Sequence, residues 1–173
     1  MFVDETWAST NMARRYGRSP KGERCLGAVP HGHWKTSTFL AGLRHDRIDA
    51  PCVIDGPVDG ETFRAWVEQF LAPTLSAGDI VIMDNLAAHK VAGIREAIEA
   101  KDARLLYLPP YSPDLNPIEQ LFAKIKEFLR KAAARTLAAL IDAVAQAITR
   151  CSIGECVNYL ADIGYMPSNR ETL

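Results

Sequence analysis

The spacing of apolar positions divides the chain into a β-rich first third and a remainder where helices and strands alternate. Phe2 and Val3 lead straight into Asp4, after which the sequence turns polar. Residues 24–29 and 36–43 have the apolar and β-branched content of strands, with Pro30, His31, Gly32 and His33 as the turn between them. Residues 50–54 form a third short strand candidate, ended by Asp55, Gly56 and Pro57. The period then changes. Phe63, Trp66, Val67, Phe70 and Leu71 recur at the spacing of one helical face, with Asp59 as the cap before them. The unbroken apolar run Ile80, Val81, Ile82, Met83 suits a strand buried on both sides. Residues 91–101 read as helix and 104–108 as another buried strand, which together make a strand–helix–strand unit.

Prolines at 109, 110 and 113 exclude regular structure there. A helix starts near Pro117, with Ile118, Leu121, Phe122, Ile125 and Phe128 on one face. A second runs from Thr136, with Leu137, Leu140, Ile141, Val144 and Ile148 facing inward. Ser152 and Glu155 form a capping box that opens a last short helix, expected to stop near Gly164. The order is that of an α/β protein, a mixed sheet with helices packed on it, in a single domain over residues 1–173.

Composition narrows the class without naming it. With 48% hydrophobic and 24% charged residues, this is an ordinary globular chain. No apolar run reaches the length of a membrane span and no signal peptide is recognisable, so a cytoplasmic protein without membrane contact is expected. The four cysteines show no zinc-ligand spacing and read as reduced, small apolar residues. His31 and His33 lack a third ligand for a metal. A net charge of −1 argues against a general polyanion binder, yet the positive charge is clustered. Arg14, Arg15, Arg18, Lys21 and Arg24 stand against Glu23 alone; Lys124, Lys126, Arg130, Lys131 and Arg135 stand against Glu127 alone. Such patches suit solvated surface or contact with a phosphate backbone.

The candidate chemistry lies in carboxylates. Asp4 and Asp84 each follow an apolar strand, the end of a strand where α/β sheets place their ligand sites. Two aspartates leaving adjacent strands repel one another unless a cation sits between them, and hard oxygen donors in pairs suit Mg2+ or Mn2+. Either one alone reads more readily as a turn or cap residue. Glu119 has a strong local alternative: with Asn116 as cap and Pro117 in the first turn, it would close a capping box at its own helix start.

The combination is more specific than its parts. Phe2-Val3-Asp4-Glu5-Thr6, then Val81-Ile82-Met83-Asp84-Asn85 with His89-Lys90 close behind, then the proline-rich segment 109–119 ending at Glu119, follow in order. Together they resemble the DDE superfamily endonuclease domain of bacterial insertion-sequence transposases, in the branch related to mariner elements. The resemblance extends to residues 29–36 and 158–165, nearly the whole chain. It implies a ribonuclease H-like fold with a five-stranded mixed sheet. It also implies that Asp4, Asp84 and Glu119 hold two Mg2+ or Mn2+ ions, for DNA strand cleavage and strand transfer in the transposition of an insertion sequence. Asn85, His89 and Lys90, just beyond Asp84, would order the metal site or touch a phosphate, or else make only local hydrogen bonds, and Arg14, Arg15, Arg18, Lys124 and Lys126 are candidate DNA contacts. The implied partners are DNA (element ends and target) and a second copy, a homodimer, in the active complex.

Two departures qualify the resemblance. Trp7 stands where a glycine often follows the Asp-Glu-Thr triplet, and only three residues precede Asp4, short for a central strand. The helix-turn-helix modules that read element ends in this family are not found upstream. The expectation is therefore a downstream reading frame completed by fusion, or a truncated remnant, binding DNA weakly and without sequence preference. The competing functions are a nuclease of the same fold without strand transfer and a non-catalytic DNA-binding or regulatory remnant.

Overall fold

A computed structural model describes residues 1–166. Five strands form one sheet: β1 (Phe2–Ser9), β2 (Thr36–Leu43), β3 (Ile48–Asp55), β4 (Ile80–Met83) and β5 (Arg104–Tyr107). Their spatial order is β3-β2-β1-β4-β5, so the strand carrying Asp4 is central. The first three strands pair antiparallel; β4 joins β1, and β5 joins β4, in parallel. The sheet is mixed, as the sequence pattern predicts.

Alternation along the strands builds two cores. Phe2, Phe39, Ala41 and Leu43 face one side, where α3 (Ile118–Ala132), α4 (Leu137–Thr149) and α5 (Ile153–Asp162) pack on them. Val3, Leu40, Val81 and Met83 face the other side, covered by α1 (Gly60–Trp66) and α2 (Ile94–Glu99). The expected caps form: Asp59 accepts from Thr62 N–H, Thr136 from Ala139 N–H, and Ser152 with Glu155 completes a capping box. The helix of residues 63–71 changes partway. After Trp66 it widens into a π-turn, Val67–Leu71, which keeps Val67 and Leu71 in the core but leaves Phe70 exposed, contrary to the helical-face reading.

Other expectations fail as well: Ile141 of α4, read as facing inward, is exposed. Residues 24–29 are not a strand but an irregular, exposed stretch. β2, which they would have joined as a hairpin, already has β1 on one side and β3 on the other, so it offers them no free edge. Nor is the strand of Asp4 cut short. β1 continues through the polar residues to Ser9, because all eight of its residues pair with β2. The four cysteines are free thiols; Cys156 is buried as expected of a small apolar residue, whereas Cys25 is exposed. His31 and His33 are exposed in the loop between β1 and β2. Among the described residues no single helix is long and apolar enough to cross a membrane.

Candidate active site

β1 and β4 run parallel with Phe2 beside Ile82 and Val3 beside Met83. One residue further along each chain stand Asp4 and Asp84. Asp4 continues the Phe2 face of β1, toward α3, where Asn116 and Glu119 lie. The four residues line one cleft of about 420 Å³, closed on its other sides by Asn85, Leu86 and the proline-rich 108–113 segment.

Asp4 is 6% exposed. Its Oδ1 accepts from the Glu5 N–H at 2.7 Å and its Oδ2 from the Asn116 Nδ2 at 2.7 Å. Burial pushes its carboxyl up to about 7; the Glu5 N–H opposes the rise, and the charges of Glu5, Asp84 and Glu119 add to it. Asp84 is more open. Burial would raise it too, but His89 and the Leu86 N–H outweigh burial and hold it below the ordinary carboxylate value. Both of those groups meet its Oδ1, His89 Nδ1 at 2.6 Å and Leu86 N–H at 3.0 Å.

Glu119 is exposed on the first turn of α3, and the capping-box alternative is not realised. No side chain caps this helix. Asn116, which would have been the cap, instead turns its amide to Asp4 and leaves its own Oδ1 buried without a partner. Among the described residues no three His, Cys, Asp or Glu side chains draw together tightly enough to hold one ion. The charges of Asp84 and Glu119 add to the rise that burial gives Asp4, and a cation would offset both. The donor chemistry nonetheless fits a hard cation: three carboxylates on one cleft and an orphaned amide oxygen beside them.

The remaining candidates separate into groups. Asn85 lines the cleft. His89 is fully buried, with Nε2 2.8 Å from Glu5 Oε2 on the opposite face of β1 from Asp4. Burial would lower the imidazole, but Asp84 and Glu5 override it and push it up to about 10. Lys90 is exposed, its Nζ 5.6 Å from the centre of the Tyr107 ring. Lys124 is held by Glu155 Oε1 and the Arg150 carbonyl. Lys126 lies over Trp7, 4.8 Å from its ring centre, and shares a shallow depression with Glu5 and Glu119. Burial lowers its pKa, while Glu119 and Asp4 raise it and Arg130 and Arg15 lower it further. Arg14 and Arg15 meet Arg130, Lys131 and Arg135 around a groove of about 650 Å³, which joins the two basic clusters of the sequence. Arg18 is exposed nearby in the chain but does not line that groove. Sequence reasoning missed Glu5 as a partner and took Asn116 for a cap; strand alternation, which sets Glu5 opposite to Asp4, was the available signal.

Comparison with known proteins gives this geometry a family. No curated protein matches the chain. A pre-cleavage Mos1 transpososome superposes with a TM-score of 0.74 at 14% identity, over 94% of this chain and 52% of that one. The catalytic domain of Mos1 mariner transposase gives 0.70 at 14%, over 94% of this chain and 75% of that one. A Mos1 catalytic domain with Raltegravir and Mg gives 0.70 at 14%, over 94% and 76%. The chain thus spans about half the length of the transpososome protein and has its ribonuclease H-like fold. The model of the DDE superfamily endonuclease family matches residues 1–141, and the chain belongs to that family.

Proposed function

We propose that this domain carries out metal-dependent cleavage and joining of DNA strands during transposition, with Asp4, Asp84 and Glu119 as its metal-holding carboxylates. One observation carries the reading. Three carboxylates from three separate elements, the central strand, the end of its parallel neighbour and the start of α3, line a single cleft in a chain of this family. Divalent-metal use follows from the family, and a hard all-oxygen donor set favours two Mg2+ or Mn2+ ions. When bound, such ions activate the attacking oxygen and stabilise the leaving oxygen of an in-line displacement at phosphorus.

The protein's own part is positioning and charge. The Glu5 N–H and Asn116 amide fix the Asp4 carboxylate on the sheet, and Asp84 is fixed from its Oδ1 side. α3 begins directly after Pro117, which sets Glu119 in its first turn at the wall of the cleft. Lys126 stands within electrostatic reach of Glu119 at one end and of Arg15 and Arg130 at the other. With Arg14, Lys131 and Arg135 these cations form a track away from the carboxylates, fit for a DNA phosphate backbone. The attacking groups are water in cleavage and a DNA 3′-hydroxyl in joining. Reading of the element ends, and pairing of two copies in the active complex, belong to the same proposal; the first falls to a separate DNA-reading segment.

A pre-cleaved donor end with a free 3′-hydroxyl, supplied with target DNA and Mg2+ or Mn2+, tests this. Joined product that requires the metal and the 3′-hydroxyl is expected. Metal-dependent nicking with no joining would make the domain a nuclease; neither reaction, in folded protein fused to a DNA-reading segment, would make it a non-catalytic remnant.

A further inference from the structure

His89 is a fully buried titratable side chain to which the proposed chemistry gives no task. It sits in a short 3-10 turn, Ala87–Lys90, just past Asp84. Nε2 is hydrogen-bonded to Glu5 Oε2 at 2.8 Å, and Nδ1 stands in ion-pair contact 2.6 Å from Asp84 Oδ1, without the alignment of a hydrogen bond. The Phe63 ring from α1 covers it, with centroids 4.2 Å apart and planes 32° apart. The Tyr107 hydroxyl on β5 donates to the His89 carbonyl at 2.9 Å. Gly60 lets α1 approach this turn closely; a Cβ there would stand 2.3 Å from the Val91 side chain. Ring and backbone are therefore fixed from α1, β1 and β5. A ring with no exposed surface, its Nε2 taken by Glu5 and its Nδ1 turned to Asp84, can neither ligate an ion in the cleft nor touch a phosphate.

We propose that His89 is a positioning residue: it links Glu5 on one face of β1 to Asp84 at the end of β4 and so fixes the direction of the Asp84 carboxylate. This rests on the reading of Asp84 as a metal-holding residue. Both groups that restrain Asp84, His89 Nδ1 and the Leu86 N–H, meet the same oxygen, Oδ1. Among the described residues Oδ2 receives no such contact, and it is the oxygen left for the cleft. Glu5 anchors the far side of the ring. Adjacent strand residues point to opposite faces, so Asp4 and Glu5 perform two tasks from one strand: Asp4 lines the cleft, and Glu5 holds the group that orients its partner. Groups that hydrogen-bond a ligating carboxylate commonly change metal affinity by about 10–100-fold when removed.

The test uses the 173-residue chain and Mn2+ alone, read by electron paramagnetic resonance titration, with thermal melting to measure folding. His89→Phe keeps the ring and its stacking on Phe63 but removes both donors. His89→Asn keeps a donor near Nδ1, facing Asp84, and His89→Gln keeps one near Nε2, facing Glu5. Expected are a loss of Mn2+ affinity of at least about tenfold in His89→Phe, recovery in His89→Asn, and little recovery in His89→Gln. Glu5→Gln, which leaves every group on Asp84 in place, should give a smaller loss in the same direction. A purely structural role predicts lowered melting temperatures with parental Mn2+ affinity in the folded protein, and that result would overturn the proposal. Asp84→Asn separates the two levels. If it abolishes binding while His89→Phe does not, only the role of His89 fails; if it too leaves binding unchanged, the metal-holding reading itself fails.

Discussion

Replacing Asp4 by Asn should stabilise the metal-free protein at pH 8 and remove its response to Mg2+. The carboxyl is 6% exposed, and burial moves it from 3.8 to about 7. Its folded pKa is raised, so its stabilising contribution is complete below pH 3.8 and lost as pH rises through about 7. Each tenfold step in a proton equilibrium is about 1.4 kcal/mol, so the ionised group costs up to roughly 4 kcal/mol above pH 7. Relaxation of the cleft and its solvent reduces that, and about 2–4 kcal/mol is the expected range. An Asn at this place avoids the cost, and Asn116 can turn its unpartnered Oδ1 toward the new amide. In EDTA at pH 8 the variant should melt higher by about 4–16 °C, at roughly 2–4 °C per kcal/mol for a chain of this size. Below pH 4 the advantage should vanish. Mg2+ should raise the melting temperature of the parent increasingly from pH 5 to pH 8, because the ion competes with the proton on Asp4, and should leave Asp4→Asn unmoved. A variant less stable than the parent at pH 8 in EDTA, or stabilised equally by Mg2+, would refute this account of the cleft.

Three further outcomes concern the frame and the DNA path. Arg44, itself little exposed, bridges Asp49 and Asp79; Arg44→Ala should cost about 3–5 kcal/mol in urea unfolding, because Asp79 loses its cation and Asp49 keeps only Arg47. Arg44 holds Asp79 well below the usual carboxylate range, so this contribution should be present above pH 3.8 and lost on further acidification. Phe122 packs edge-on against Phe39, 5.8 Å between ring centres; Phe122→Ala should lower stability by about 3–5 kcal/mol and loosen α3 on the sheet. The double change Arg15→Ala and Arg130→Ala should reduce the slope of log affinity against log salt for nonspecific duplex DNA by about 2, measured by fluorescence anisotropy; an unchanged slope would remove these residues from the DNA path.

How much of this could be read from the sequence depends on how local each signal is. β2, β4, β5 and the caps at Asp59, Thr136 and Ser152 were legible, because unbroken apolar runs and cap residues act over a few positions. Residues 24–29 misled for the opposite reason: Leu26 and Val29 have strand chemistry, but whether they pair depends on a free sheet edge, and β1 and β3 flank β2. Phe70 was assigned to the core by a period of 3.6, which the π-turn after Trp66 breaks. Asp84 was legible as the residue beyond an apolar strand; the same signal picked out Asp4, although it lies inside β1, and the family pattern supplied Glu119. Asn116 was not, because a cap and a carboxylate partner have the same sequence signature and only the packing of α3 against β1 separates them. The Glu5–His89–Asp84 bridge spans residues far apart in the chain and needs β1, the turn after β4 and Phe63 in place at once.

The central claim is that Asp4, Asp84 and Glu119 act together on DNA phosphates, and Glu119 is its most exposed point. The direct measurement is single-turnover joining of a pre-cleaved donor end by the parent, Asp84→Asn and Glu119→Gln, each checked for folding by circular dichroism and each fused to the same DNA-reading segment. The account predicts metal-dependent joining by the parent and a loss of at least about a hundredfold in both folded variants. Full activity in folded Glu119→Gln would contradict it.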